Sequence, residues 1–298
     1  MKWIKFFGLI LKAGSFFGRP IDFRKNREAV LNSFSPQNKQ HFYFPLIDYL
    51  AQTRMFGTFI ENIDFVKNKK NNTRNIFYVD SLKIGYVRIL KSGSTSLLKE
   101  LLPMMDEKLS EKKLSDKEID QLANYYANHK HRNQYQLFTL VRNPFQRLVS
   151  AYIDLFNPNN QEFILRNHLF GIFKHQMSFN DFVETLAKVP VSLLEPHFVS
   201  QLKIIEACGG LEKIRVIHLG KNKAEMDLFC SEFDLKISHS NKSLDYNYQT
   251  FYNPISLQRA FDLYKADVVA LGYTDEYKKL KEFTINPKVI EVNQNMPV

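Results

Sequence analysis

The central part of the chain alternates short apolar runs with amphipathic segments. Residues 76–79, 84–90 and 137–141 are predicted to be strands, because each is a short apolar run and the first two are separated by a polar turn. Residues 97–105 and 115–130 are predicted to be helices, and the second begins with the spacing of a capping box. This order predicts an α/β fold with a parallel sheet, in which ligands bind at the carboxyl ends of the strands.

The rest of the chain is predicted to flank one main domain. Residues 75–282 form this domain, after an N-terminal helical extension over 1–74 and before a C-terminal tail over 283–298. Residues 1–18 have a basic start and an apolar core that lysines interrupt, so they do not span a bilayer. Three interpretations of this segment stay open: a helix docked on the domain, a helix in peripheral contact with a membrane surface, and a weak signal peptide.

Composition narrows the class of protein and of partner. The chain has 298 residues, of which 44% are hydrophobic, and this excludes a disordered chain. Its 41 Lys and Arg residues against 31 Asp and Glu give a net charge of +10, so we expect an anionic partner. Cys208 and Cys230 are too few for a disulfide framework and lack zinc-ligand spacing, which favours a reduced, cytoplasmic setting.

The string Lys-Ser-Gly-Ser-Thr-Ser at 91–96 directly follows the second predicted strand. Gly93 allows a tight turn that leaves room for an anion, and the residues after it open a helix whose N-terminal N–H groups and dipole favour negative charge. Lys91 adds a mobile cation. The pattern predicts a phosphate cradle. It is not a Walker A loop, because the lysine precedes the glycine and the upstream glycine of that motif is missing.

A second string, Val-Arg-Asn-Pro-Phe, begins where the third predicted strand ends. Pro144 suits the first position of a helix and Asn143 suits its N-cap, which leaves Arg142 on the loop between strand and helix. Arg147 and Ser150 follow on the first turns of that helix. A guanidinium and a hydroxyl on the same side can hold a terminal phosphate. Taken singly, Arg142 could instead form a surface ion pair and Ser150 could be a buried small residue.

Together, the two strings resemble the donor-binding signatures of the sulfotransferases that use 3′-phosphoadenosine 5′-phosphosulfate (PAPS). They are most similar to those of the carbohydrate sulfotransferase group, and the resemblance covers about residues 75–275. It extends over four further segments, which are 178–182, 195–208, 217–221 and 264–273. The chain departs from the pattern of the group in two places. Phe198 stands where tryptophan is usual, and Asn222-Lys223 stands where Phe-Glu usually follows Gly-Lys.

The resemblance implies a fold, a donor and a set of site residues. The fold is a P-loop-like three-layer α/β fold with a central parallel sheet flanked by helices. The residues implied to bind the donor are Lys91, Ser92, Gly93, Ser94, Thr95 and Ser96 at the 5′-phosphosulfate, and Arg142 and Ser150 at the 3′-phosphate. We also expect positive charge from Arg147 there. No metal is required, and the product of the donor is adenosine 3′,5′-bisphosphate.

Sulfuryl transfer to a hydroxyl also needs a base, and histidine is the side chain best suited to accept a proton near neutral pH. The predicted catalytic residues are Lys91, at the bridging oxygen, and His197, which lies in a segment similar to that of the family. Alternative bases are Glu195, Glu184, His168 and His175. The implied acceptor is a carbohydrate or glycan hydroxyl.

Two other functions stay open. A protein that binds PAPS or another polyanion without turnover has the same loops. A nucleotide phosphotransferase shares the phosphate cradle, but the chain lacks the Walker glycine and an obvious magnesium-binding aspartate at a strand end. Nucleic acid is not an expected partner, because the aromatic residues lie in core-like runs instead of alternating with Lys and Arg.

Overall fold

The computed structural model describes residues 75–128, 132–156, 173, 177–191, 194, 196–236 and 247–286. The predicted N-terminal extension over 1–74 lies outside these residues, together with its predicted membrane-surface segment over 1–18. Residues 287–298 of the predicted C-terminal tail also lie outside them.

The described residues form four strands, eight α-helices and two short 3-10 helices. The strands are β1 (Ile76–Val79), β2 (Ile84–Val87), β3 (Gln136–Val141) and β4 (Ile214–His218). The helices are α1 (Ser94–Met105), α2 (Asp116–Tyr126), α3 (Pro144–Leu155), α4 (Phe179–Lys188), α5 (Gln201–Ala207), α6 (Lys223–Glu232), α7 (Pro254–Ala270) and α8 (Thr274–Ile285). The 3-10 helices are Glu107–Leu109 and Tyr248–Phe251. Within these ranges, no helix combines the length and the apolar character that a membrane span requires.

The strands form one sheet in the order β1-β2-β3-β4. β2 is parallel to β3, with Gly85 opposite Leu137, and β3 is parallel to β4, with Thr139 opposite Val216. The predicted parallel sheet is therefore confirmed for these three strands. β1 pairs with β2 in the antiparallel sense. The connection between them, residues 80–83, is far too short for the crossover that a parallel pair needs.

Side chains on the two faces of the sheet enter two separate hydrophobic cores. Along β1, Ile76 and Tyr78 belong to one core, and Phe77 and Val79 belong to the other, because side chains alternate along a strand. Helices α3, α4, α5, α7 and α8 contribute to the first core, and helices α1, α2 and α6 contribute to the second. Helices thus cover both faces, which confirms the three-layer α/β fold.

The N-terminus of α2 has the structure that its sequence predicts. The Ser115 hydroxyl accepts the N–H of Glu118 at 3.4 Å, and the Glu118 carboxylate accepts the N–H of Ser115 at 2.8 Å. The helix ends at Tyr126, four residues earlier than predicted. Beyond it, Asn128 exchanges two backbone hydrogen bonds with Ile76 of β1. The chain leaves the helix there because it pairs with the free edge of the sheet.

Candidate functional site

The loops that follow β2, β3 and β4 lie at one edge of the sheet. Because these strands are parallel, their carboxyl ends point in the same direction. Leu219, directly after β4, donates its N–H to the carbonyl of Val141 at the end of β3 at 2.8 Å. Both predicted phosphate loops therefore adjoin the edge at which ligands bind in open α/β sheets.

The first loop, residues 91–96, turns sharply before α1. Lys91 and Gly93 both have a left-handed backbone, with φ of 65° and 76°. A residue with a side chain would be strained at this positive φ, and its Cβ atom would lie 3.3 Å from the Leu219 side chain. This position therefore favours glycine. Among the described residues, no side chain caps the N-terminus of α1. The N–H groups of its first turn are therefore suitable donors for an anion.

The second loop is the two-residue link between β3 and α3. Asn143 caps α3 by accepting two backbone N–H bonds at 2.9 and 3.4 Å, and Pro144 is the first helical residue, as predicted. Arg142 stands on the link and its guanidinium donates to the carbonyl of Lys91 at 3.4 Å. Ser150 is half-buried on α3. The Arg142 side chain thus extends towards the first loop.

An ion pair joins the first loop to α3. The Lys91 ammonium lies 2.5 Å from a carboxylate oxygen of Asp154. Asp154 is one turn beyond Ser150, so the two side chains leave α3 on the same side. The Lys91 and Asp154 side chains are 20% and 37% exposed, so an anion from solvent can reach the pair. The sequence pattern did not single out Asp154, because a carboxylate at this point of a helix is typical of a solvated face.

Gln201 connects the two loops through its carboxamide. Its Oε1 accepts the Ser92 hydroxyl at 3.1 Å and the Arg142 N–H at 2.9 Å, and its Nε2 donates to the Arg142 carbonyl at 2.8 Å. The Gln201 residue is 0% exposed. In the sequence, Gln201 appears only within one of the segments similar to the family. No local pattern indicates that its amide lies between two distant loops.

Asp267 of α7 fixes the position of Gln201. Its buried carboxylate accepts the Ser200 hydroxyl at 2.5 Å and the N–H groups of Gln201 and Leu202, both at 2.9 Å. A carboxylate at the first turn of a helix is favoured by the helix dipole and satisfies N–H groups that lack helical partners. Gln201 is therefore the first residue of a helix, α5, whose start is held in place by a side chain of α7.

Arg147, predicted to add positive charge at the phosphates, is buried beside the chain that leads into the first loop. Arg147 is 1% exposed, and its guanidinium donates to the carbonyls of Leu90, Val199 and Pro196 at 2.9, 2.9 and 3.2 Å. The sequence placed Arg147 on α3 but did not indicate that its guanidinium is buried. Arg147 instead ties the chain after β2 to the segment that precedes α5. Such a buried cation is stabilised by the three carbonyl oxygens that it meets.

His197, the predicted base, lies half-buried in the turn before α5. Its neighbour Phe198 is 1% exposed and packs on Phe182, with ring centroids 5.5 Å apart. The carbonyl of Phe198 accepts the hydroxyl of Tyr264 at 3.1 Å. Phenylalanine at this position thus fills the core in place of the tryptophan usual in the group. Because Arg147 binds the carbonyls on both sides of this turn, His197 is held on a segment that is fixed relative to the first loop.

Of the four alternative bases, one lies within the described residues. Glu184 is exposed on α4 and forms an ion pair with Lys188 of the same helix at 3.4 Å. Glu195, His168 and His175 lie outside the described residues. His197 lies on the turn that Arg147 joins, through Pro196 and Leu90, to the chain before the first loop.

A further histidine, His218, ends β4 at the same edge of the sheet. One ring nitrogen lies 3.1 Å from the carbonyl of Leu271 and the other 3.3 Å from the carboxylate of Glu225. Its ring packs on Tyr273 at 5.7 Å between centroids. Burial raises the pKa of the Tyr273 phenol, the Glu276 and Glu225 carboxylates raise it further, and Arg142 opposes this effect. Tyr273 is therefore a neutral phenol close to the second loop.

The described part of the chain contains no group of three or more histidine, cysteine, aspartate or glutamate side chains placed to hold a metal ion.

Comparison with known proteins supports a family assignment. A model of the sulfotransferase family matches residues 74–201. The matched segment includes both loops and ends at Gln201, so Asp267 and β4 lie beyond it. No curated protein and no solved structure matches the chain.

Proposed function

We propose that the protein transfers a sulfuryl group from PAPS to a hydroxyl of a carbohydrate or glycan acceptor, a proposal that the match of residues 74–201 to the sulfotransferase family model supports. The observation that carries this proposal is the pair of adjoining loops after β2 and β3, which are joined by hydrogen bonds through Gln201. Two anion-binding loops at a fixed separation suit a nucleotide that has phosphate groups at both ends of its ribose.

The residues of the two loops suit the two ends of this donor. In the proposal, the first-turn N–H groups of α1 bind the 5′-phosphosulfate, together with Lys91 and the hydroxyls that follow Gly93. The positive φ of Gly93 and the exposure of Lys91 support this role. Arg142 and Ser150 bind the 3′-phosphate. Both are half-buried, Arg142 just before α3 and Ser150 in the middle of it, which is compatible with that contact.

The proposed reaction is an in-line displacement at sulfur. PAPS supplies a sulfuryl group attached to a phosphate leaving group. The acceptor oxygen bonds to sulfur as the bond from sulfur to the bridging oxygen breaks, and the acceptor proton passes to a base. Lys91 stabilises the negative charge that develops on the bridging oxygen. By analogy with phosphoryl transfer, the remaining contribution of the protein is to position the reactants.

His197 is the proposed base. It is carried on a turn that Arg147 and the packing of Phe198 hold in place. The variant His197→Ala should lower kcat by about 10²–10⁴-fold, the range expected for loss of a general base, with little change in the KM for PAPS. A Phe182→Leu variant, which disturbs the packing under the same turn, is the matched control. An equal loss of kcat in both variants would contradict the role of His197.

A binding assay and a transfer assay test the donor and the reaction separately. Adenosine 3′,5′-bisphosphate should stabilise the full chain against heat, by about 2.7 kcal/mol at a hundredfold excess over Kd, and AMP should stabilise it less. Transfer of radiolabelled sulfate from PAPS to a mixture of glycans should be detectable. Lys91→Ala should abolish it and lower the melting temperature without ligand only slightly, since the ion pair with Asp154 that it removes is partly exposed.

The two assays separate the proposal from its rivals. Binding of the bisphosphate without transfer to any acceptor would indicate a protein that binds PAPS without turnover. Stabilisation by ATP with magnesium and not by the bisphosphate would favour a phosphotransferase. Lys91→Ala activity within a few-fold of wild type would contradict the role of the first loop.

A further inference from the structure

The Gln201 side chain contacts both phosphate loops. Its carboxamide is shared between Ser92 in the first loop and both backbone groups of Arg142 in the second. A single oxygen, Oε1, accepts from both loops, so a shift of one loop relative to the other must lengthen one of these bonds. The side chain is fully buried, so water cannot replace a bond that is lost.

The anchor of Gln201 lies outside both loops. Asp267 binds the backbone N–H of Gln201 and two further groups at the start of α5. Arg147 independently joins Leu90, directly before the first loop, to Val199 and Pro196. The amide of Gln201 is therefore held in place by its own helix and does not simply follow the loops.

We propose that Gln201 is a positioning residue that sets the separation of the two phosphate loops, so that binding of one end of a bisphosphorylated nucleotide favours binding of the other end. This inference rests on the proposed function and extends it to a residue that does not contact the donor. The physical basis is preorganisation. A ligand with two phosphates gains the full benefit of its second contact only when the second loop is already at the correct distance.

The proposal has a specific signature in binding. Loss of the bridge should affect a ligand with two phosphates more than a ligand with one, because a monophosphate does not depend on the separation of the loops. A residue that merely supports the fold would weaken binding of all ligands by a similar factor. The three ligands for this comparison are adenosine 3′,5′-bisphosphate, AMP and adenosine 3′-monophosphate.

The test is calorimetric titration of the full chain with these ligands. Methionine has nearly the shape of glutamine but cannot hydrogen bond to either loop. Gln201→Met should lower the affinity for the bisphosphate by about tenfold more than the affinity for either monophosphate, which corresponds to about 1.4 kcal/mol. Gln201→Glu is the conservative variant. A buried, protonated carboxyl group has one acceptor and one donor, like the amide, so it should restore the wild-type ratio of affinities.

Two further variants keep the test decisive. Ser200→Ala is the matched control, because it removes a buried hydrogen bond to Asp267 at the same helix start but leaves the bridge intact, and the ratio of affinities should not change. The Ser92 hydroxyl, implied by the family resemblance to bind the donor, is buried and donates to Gln201. Ser92→Ala therefore removes the arm of the bridge in the first loop and should reproduce the selective loss. If Gln201→Met does not fold, the result with Ser92→Ala decides.

The outcomes distinguish this inference from the proposed function. An equal loss of affinity for all three ligands in Gln201→Met, or in Ser92→Ala if that variant decides, would overturn the coupling role, and so would unchanged affinities. If the wild-type protein binds the bisphosphate no more tightly than either monophosphate, the proposed donor itself is wrong.

Discussion

At the scale of single residues, the ion pair between Lys91 and Asp154 opposes binding of an anion. In the proposed function, Lys91 must turn from the Asp154 carboxylate, 2.5 Å away, to the donor. The carboxylate both competes for the ammonium group and repels the phosphates. Because both side chains are partly exposed, solvent screens the pair and its contribution is modest, about 0.2–1 kcal/mol.

We therefore expect Asp154→Asn to bind adenosine 3′,5′-bisphosphate more tightly, by about twofold to fivefold, the factor that corresponds to a partly exposed ion pair. Calorimetric titration at low and high salt measures this, and the gain should shrink as salt screens the carboxylate. Asp120→Asn is the matched control. It removes the same charge from another helix, α2, where Asp120 forms an ion pair with Arg88. Weaker binding by Asp154→Asn would show that the carboxylate orients Lys91 for the donor.

The sequence predicted some of these residues and missed others for identifiable reasons. The positions of Lys91, Gly93 and Arg142 follow from strand ends and helix starts, which have strong local signals. The contacts of Arg147 and Asp154 depend on which face of α3 meets which loop. That information is in the packing of distant segments, so the helical pattern alone could not supply it.

At the scale of elements, the strands and helices around the two loops were predictable because each has a local cause. A few adjacent residues determine each of three features: the cap of α2 by Ser115, the start of α3 at Pro144 and the apolar run of β3. β2 is shorter than predicted and ends at Val87, since the chain turns before Lys91.

The start of α5 shows where such reasoning stops. Proline suits the first position of a helix, but α5 begins at Gln201 and not at Pro196. Two contacts fix this start: the Ser200 hydroxyl accepts the N–H of Lys203 at 3.3 Å as a local N-cap, and the Asp267 carboxylate of α7 accepts the N–H groups of Gln201 and Leu202. Ser200 is a local signal, but the contact with Asp267, 66 positions from Gln201, leaves none at the helix itself. The same contact gives Gln201 its place between the loops.

At the scale of the whole molecule, several tyrosines are buried on both sides of the sheet. Burial raises the pKa of Tyr86 in one core, and burial together with Tyr264 and Tyr248 raises that of Tyr252 in the other. In the unfolded chain these phenols ionise near pH 10. At a pH between that value and the higher pKa of the folded state, these phenols therefore release protons when the protein unfolds.

Below about pH 9, these tyrosines are therefore expected to add no pH dependence to the free energy of unfolding. Above about pH 10 this free energy should fall as pH rises, by up to about 1.4 kcal/mol per pH unit for each phenol. Urea unfolding at several pH values between 8 and 11 measures the slope, with phenol ionisation followed by absorbance. Tyr252→Phe should reduce the slope, although it also removes a hydrogen bond to Phe145 at every pH. Tyr125→Phe, at a residue that is 81% exposed, is the control and should leave the slope unchanged. Equal slopes for Tyr252→Phe and wild type would contradict the assignment.

The bridge through Gln201 also determines when the site can form during synthesis. Ser92 and Gln201 are 109 positions apart, and Ser200 and Asp267 are 67 positions apart. A ribosome makes the two loops well before it makes Asp267, and the N-terminal part of a chain generally folds first. The growing chain can thus build the sheet and both loops early. It completes their fixed spacing only after α7 has left the exit tunnel, so this protein should become able to bind the proposed nucleotide donor late in translation.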